Sequence, residues 1–81
     1  MITPRQIRAA RALLGLSQRD VAERSAIGIA TLRRIEAAAD RITGTAKTIS
    51  QIQRALEAAG VVFIDQDSKT GPGVRLRDPR P

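Results

Sequence analysis

The sequence predicts a mainly α domain, four short helices followed by a short C-terminal β-hairpin. Three observations carry this expectation. Thr or Ser stands ahead of three apolar-periodic segments as a helix cap, apolar residues recur at three- and four-residue spacing as far as residue 60, and beyond Gly60 the pattern turns to β-branched residues broken by turn formers.

Thr3 precedes Pro4 and is followed three residues later by Gln6, which pairs an N-cap with a proline at the first helical position and a capping-box partner. The first helix therefore starts at Pro4, turns Ile7, Ala10, Arg11 and Leu14 to one face, and stops at Gly15; Arg5 and Arg8 point away from that face, toward solvent or phosphate. Ser17 caps a second helix with Asp20 as its box partner, and this helix runs to about Ser25 with Val21, Ala22 and Ser25 facing inward. Ala26-Ile27-Gly28 is the turn, and a third helix follows to about Ala38 or Ala39, with Leu32 and Ile35 inward and Ile29, Ala30, Arg33 and Arg34 on the opposite side. Asp40 to Gly44 is a polar connection in which Ile42 folds back as an anchor. Thr45 caps a fourth helix carrying Ile49, Ile52, Leu56 and Ala59, and Gly60 ends it. Val61 to Ile64 and Val74 to Arg77 read as the two strands, with a turn-rich loop between them, and 78–81 as a frayed tail. The expected division is a helical domain at 1–60 and a hairpin at 61–77.

Composition narrows the function. With no cysteine and no histidine, the chain offers no disulfide, no Cys/His zinc site, no thiol nucleophile and no imidazole base. There is no phosphate loop and no clustered carboxylates, so neither an enzyme nor a cofactor or metal site is expected. No apolar run is long enough to span a bilayer and no secretion signal is evident, which predicts a cytoplasmic protein. Fourteen Lys and Arg against eight Asp and Glu give a net charge of +6, favouring a polyanionic partner. One Phe with no Trp or Tyr leaves no platform for stacking unpaired bases, so duplex DNA is the expected partner.

A capped helix, a tight turn and a second helix with a basic outer face form the helix-turn-helix plan, in which the second helix enters the major groove. Arginine donates two parallel hydrogen bonds to a guanine edge, and this suits Arg33 and Arg34, while Ile29 and Ala30 suit the methyl group of thymine.

The residues Arg11, Leu14, Leu16-Ser17-Gln18, Val21-Ala22, Ile27, Thr31-Leu32, Ile35-Glu36, Thr48-Ile49 and Ala55-Leu56 together give a pattern that resembles the Cro/CI-type (XRE-like) family of helix-turn-helix regulators over about residues 4 to 60. The resemblance implies a lambda-repressor-like fold of four helices and a bacterial or phage-type regulator of transcription that binds a two-fold symmetric operator as a homodimer. It implies base reading by Ile29, Ala30, Arg33 and Arg34. The positions matching Thr43, Thr45 and Lys47 lie near the DNA backbone, and Gln18, Arg19 and Thr31 complete that set, with Gln18 equally suited to bracing the recognition helix. It pairs Arg11 with Glu36 as a structural ion pair. Two departures stand out: Ala26 occupies a turn position that is usually glycine, and Ile29 one that is usually polar.

The hairpin adds a second expectation. Alternation of apolar and basic residues in Val74 to Arg77 leaves an edge strand, so dimerisation through residues 61 to 77 is expected, with Val62, Phe63, Ile64, Val74 and Leu76 as contacts. The rival is an intramolecular cap on the helices. An exposed edge also suits a protein partner, as in an antitoxin or anti-activator that autoregulates through its helices.

Overall fold

Three of the four helices begin where the sequence supplies an oxygen for the first backbone N–H groups. The computed structural model describes residues 1–39, 41 and 43–79. Its elements are α1 Pro4–Leu14, α2 Gln18–Ser25, α3 Ile29–Glu36, α4 Ala46–Ala59, β1 Val61–Ile64 and β2 Gly73–Leu76. At α1 the Gln6 N–H donates to Thr3 Oγ1 (3.1 Å) and the Thr3 N–H to Gln6 Oε1 (2.8 Å). At α2 the Asp20 N–H donates to Ser17 Oγ (3.0 Å) and the Ser17 N–H to Asp20 Oδ2 (2.9 Å). At α4 the Thr48 N–H donates to Thr45 Oγ1 at 3.1 Å. α3 is the exception, since its N-cap is Gly28 and no side chain bonds its first turn.

Gly15 closes α1 in the left-handed conformation, with φ 68. Ala26 closes α2 in the same way at φ 57, which costs a residue with a Cβ on the order of 1 kcal/mol. The turn that the sequence predicts is therefore kept without its glycine.

α3 ends at Glu36, two or three residues short of the sequence expectation. Alanine favours helix, so the run Ala37-Ala38-Ala39 reads as its continuation. Instead the Ala38 N–H turns back to the Ile35 carbonyl at 3.3 Å, Ala39 takes φ 54, and the Arg8 guanidinium donates to the Glu36 carbonyl. A remote cation at the helix C-terminus thus overrides local propensity. It also corrects the outward placement of Arg8, which is half-buried. The expected Ile42 anchor, and Arg80 and Pro81 at the end of the expected frayed tail, lie outside the described residues.

The core joins Ile7 and Ala10 of α1, Val21 and Ala22 of α2, Leu32 and Ile35 of α3, Ile49, Ile52 and Leu56 of α4, and Val61 of β1, together with Ile2 ahead of the first helix. Burying each large aliphatic side chain stabilises the fold by about 1.5–3 kcal/mol. β1 and β2 pair antiparallel in the register Val61↔Leu76, Val62↔Arg75, Phe63↔Val74 and Ile64↔Gly73, one residue earlier on β2 than expected.

Side chains alternate across the hairpin. Phe63, Val74 and Leu76, expected among the dimer contacts, turn inward and pack against the chain's own core, because the face they share with Val61 lies over α1 and α4. Val62 and Ile64 sit on the other face, and Ile64 is 43% exposed. Gln6 pins the hairpin in place. While its Oε1 serves the α1 cap, its Nε2 donates to the carbonyls of Ile64 (3.2 Å) and Gly73 (2.9 Å), one on each strand. Among the described residues, no helix is long and apolar enough to cross a membrane.

Candidate nucleic-acid interface

α3 lies against the body of the molecule through Leu32, Ile35 and Glu36, all buried, and presents Ala30, Arg33 and Arg34 to solvent. Helical spacing puts the two arginines opposite the buried pair. Ile29, expected to face outward with Ala30, is half-buried and packs against the core. Its position at the start of the helix, next to Ile27 of the turn, draws it under the edge of the exposed face.

Glu36 is the point from which α3 is positioned. Its side chain is 3% exposed and takes both oxygens to Arg11, with Nε to Oε2 and Nη2 to Oε1 each at 2.8 Å. The third nitrogen of Arg11, Nη1, donates to the Leu16 carbonyl at 3.1 Å and ties in the loop between α1 and α2. Gln18 Nε2 donates to Glu36 Oε1 at 3.1 Å, so the first residue of α2 braces the last residue of α3. Arg8 holds the Glu36 main-chain carbonyl. Carboxylate and carbonyl of one residue are thereby gripped from two helices, and bidentate geometry of this kind fixes orientation as well as distance. Arg8 escaped the sequence reading. The signal available was its place one helical turn ahead of Arg11, on a neighbouring position of the same helix surface.

The residues expected at the DNA backbone fall into two groups. Arg19 and Lys47 are exposed cations, one in the first turn of α2 and one in the first turn of α4. Gln18 and Thr31 are half-buried. Thr45 is exposed, but its hydroxyl caps α4 and donates to Thr48 Oγ1 at 3.1 Å. Thr43 Oγ1 is buried and has no hydrogen-bond partner among the described residues, so its hydroxyl is turned away from solvent. Next to it Gly44 takes φ +104 with its α-carbon against Ile35, where an added Cβ would lie 3.4 Å from Ile35 Cδ1. The left-handed backbone calls for glycine there, since Ile35 would stand at ordinary contact distance from an added Cβ.

At the other end of the motif the Asp20 carboxyl is held below its ordinary value of 3.8, first by the Ser17 N–H, then by the Ser17 hydroxyl, with Arg24 adding to the effect. Its charge therefore persists at the N-terminus of α2, where the helix dipole favours an anion. Among the described residues, no group of acidic side chains stands at metal-binding spacing.

A family model described as Helix-turn-helix matches residues 7–58, which span α1 to α4 and contain the entire Glu36 network. No curated protein matches the chain. With the match covering more than half of the sequence and the motif standing where the geometry places it, the chain belongs to the Cro/CI-type (XRE-like) helix-turn-helix family of DNA-binding regulators.

Proposed function

We propose that the protein is a sequence-specific regulator of transcription that binds a palindromic operator in double-stranded DNA as a homodimer, with α3 in the major groove. The observation that carries this reading is the pair of exposed arginines on a helix clamped from behind through Glu36. Rigid support of this kind is what base reading needs, because a bidentate arginine contact to guanine tolerates little misplacement. Arg33 and Arg34 are the base readers, Ala30 meets a thymine methyl group, and Ile29 contributes from the edge. Arg19, Lys47, the N-terminal turn of α2 at Gln18, Thr31 and the main chain around Thr43 and Thr45 meet phosphates.

A helix of eight residues spans few base pairs, so specificity calls for two copies. The molecule measures 31 × 31 × 18 Å, and two copies side by side set equivalent points about one duplex turn, ~34 Å, apart. Fluorescence anisotropy with the DNA upstream of the coding sequence, against random duplex at physiological salt, tests the reading. Preference for the former is expected, and equal affinities would leave only charge-driven binding. In the same titrations Lys47→Ala is expected to weaken all duplexes alike.

The exposed Arg75 and Arg77 on the hairpin favour a second reading, in which an acidic protein partner docks there and the helices autoregulate. A stoichiometric partner that copurifies with the native chain and is lost in the Arg75→Glu, Arg77→Glu variant would support it.

A further inference from the structure

Among the described residues neither outer edge of the hairpin pairs with a further strand, and the two edges are not alike. The Arg77 N–H donates to the Gly60 carbonyl at 2.8 Å, which makes Gly60 and Arg77 a hydrogen-bonded pair. Such pairs alternate along an antiparallel ladder. Val62↔Arg75 and Ile64↔Gly73 are therefore bonded inward, and the main-chain groups of Val61 and Phe63 on β1, and of Val74 and Leu76 on β2, point outward along the edges.

β2 carries the devices that keep an edge unpaired. Pro72, which lacks an N–H, precedes it, and the exposed Arg75 and Arg77 stand on its outer face. β1, Val61-Val62-Phe63-Ile64, has no charge, no proline and no glycine, and its outer face is Val62 and the exposed Ile64. An unguarded strand of this composition is a template for another strand.

We infer that the β1 edge pairs with the β1 edge of a second copy, antiparallel about a two-fold axis through Val62, so that one sheet runs across the dimer. This rests on the homodimer proposed above and names its interface. Self-pairing about that axis lets Val61 of each copy exchange hydrogen bonds with Phe63 of the other and sets Val62 against Val62. The equivalent pairing of β2 would set Arg75 against Arg75, and like charges directly opposite each other are destabilising. Charge thus selects β1 as the self-complementary edge.

The chain has no cysteine of its own, so a single introduced thiol reports the contact cleanly. Opposed residues of a non-hydrogen-bonded pair stand about 4.5 Å apart at Cα, within the range a disulfide spans. Full-length Val62→Cys, oxidised with copper phenanthroline in the absence of DNA, is expected to run as a covalent dimer, and Arg75→Cys as a monomer. Val62→Lys is expected to shift the native chain from two copies to one by light scattering, with an unchanged circular dichroism spectrum; should that variant fail to fold, the two thiol variants decide. A monomeric native chain, cross-linking of Arg75→Cys in place of Val62→Cys, or a dimer that cross-links at neither position would overturn the inference. A Val62-linked dimer lacking operator preference would instead refute the regulatory reading and leave this interface standing.

Discussion

The two helices of the motif are equally long, eight residues each, and are held by opposite means. α2 is stabilised by its own sequence, with Ser17 and Asp20 closing a reciprocal box at the N-terminus and Arg24 in the last turn. α3 has no side-chain cap, no acidic residue in its first turn and two arginines in its last, and it is fixed by Arg8, Arg11 and Gln18 from its neighbours, all acting on Glu36. Because its orientation is set from behind, α3 keeps its outer face exposed and its first turn without a side-chain cap. The cost is dependence on a few long-range bonds, and mutation should expose that dependence.

The largest effect is expected at the clamp. Glu36→Ala leaves Arg11 partly buried beside no anion, which typically destabilises by about 3–5 kcal/mol, read in urea unfolding followed by circular dichroism. Next come the two arginines proposed as base readers. Arg33→Ala and Arg34→Ala should each relax discrimination at one base pair by about 1–3 kcal/mol in competition binding, while leaving the urea midpoint almost unmoved. A fall in stability with unchanged base preference would reverse the roles assigned to the two faces of α3. Loss of the α2 cap in Ser17→Ala should cost about 1 kcal/mol of stability.

The same cap gives α2 a pH signature. Asp20 is depressed in the folded chain, so its contribution is present above 3.8 and declines as pH falls from there through the lower folded value; Asp20→Asn should flatten that part of the acid unfolding curve. The smallest change tests α3 from the other side. Gly28 has φ -71 and an added Cβ would meet only Thr31 Oγ1, at 3.9 Å, so Gly28→Asp should stabilise by a few tenths of a kcal/mol. It should nevertheless weaken DNA binding, because in the proposed docking the new carboxylate would stand at a helix end close to the phosphates.

The difference between the helices also explains what the sequence makes legible. N-cap bonds join residues three apart, so Thr3, Ser17 and Thr45 announce three helix starts before any fold is known. The exposed arginines of α3 follow from its period. The end of α3 does not, because the bond that terminates it comes from Arg8, 28 residues away, while the local alanines argue for more helix. The inward face of the hairpin is hidden for a related reason. Val62 and Phe63 are equally good strand residues, and only the helices beneath them decide which one turns in. The Arg11–Glu36 pairing came from resemblance to a family, since neither residue's spacing identifies the other as its partner.

Gln6 caps α1, and the same amide holds both strands of the hairpin. Seen as a matter of cooperativity, that one side chain joins the two ends of the chain into a single opening unit. The first turn of α1 cannot fray without releasing the base of the hairpin loop, and the hairpin cannot lift without unseating the amide that closes the first turn. A peptide tag added ahead of Thr3 would therefore act on the strands at the far end of the sequence as directly as on the helix it adjoins.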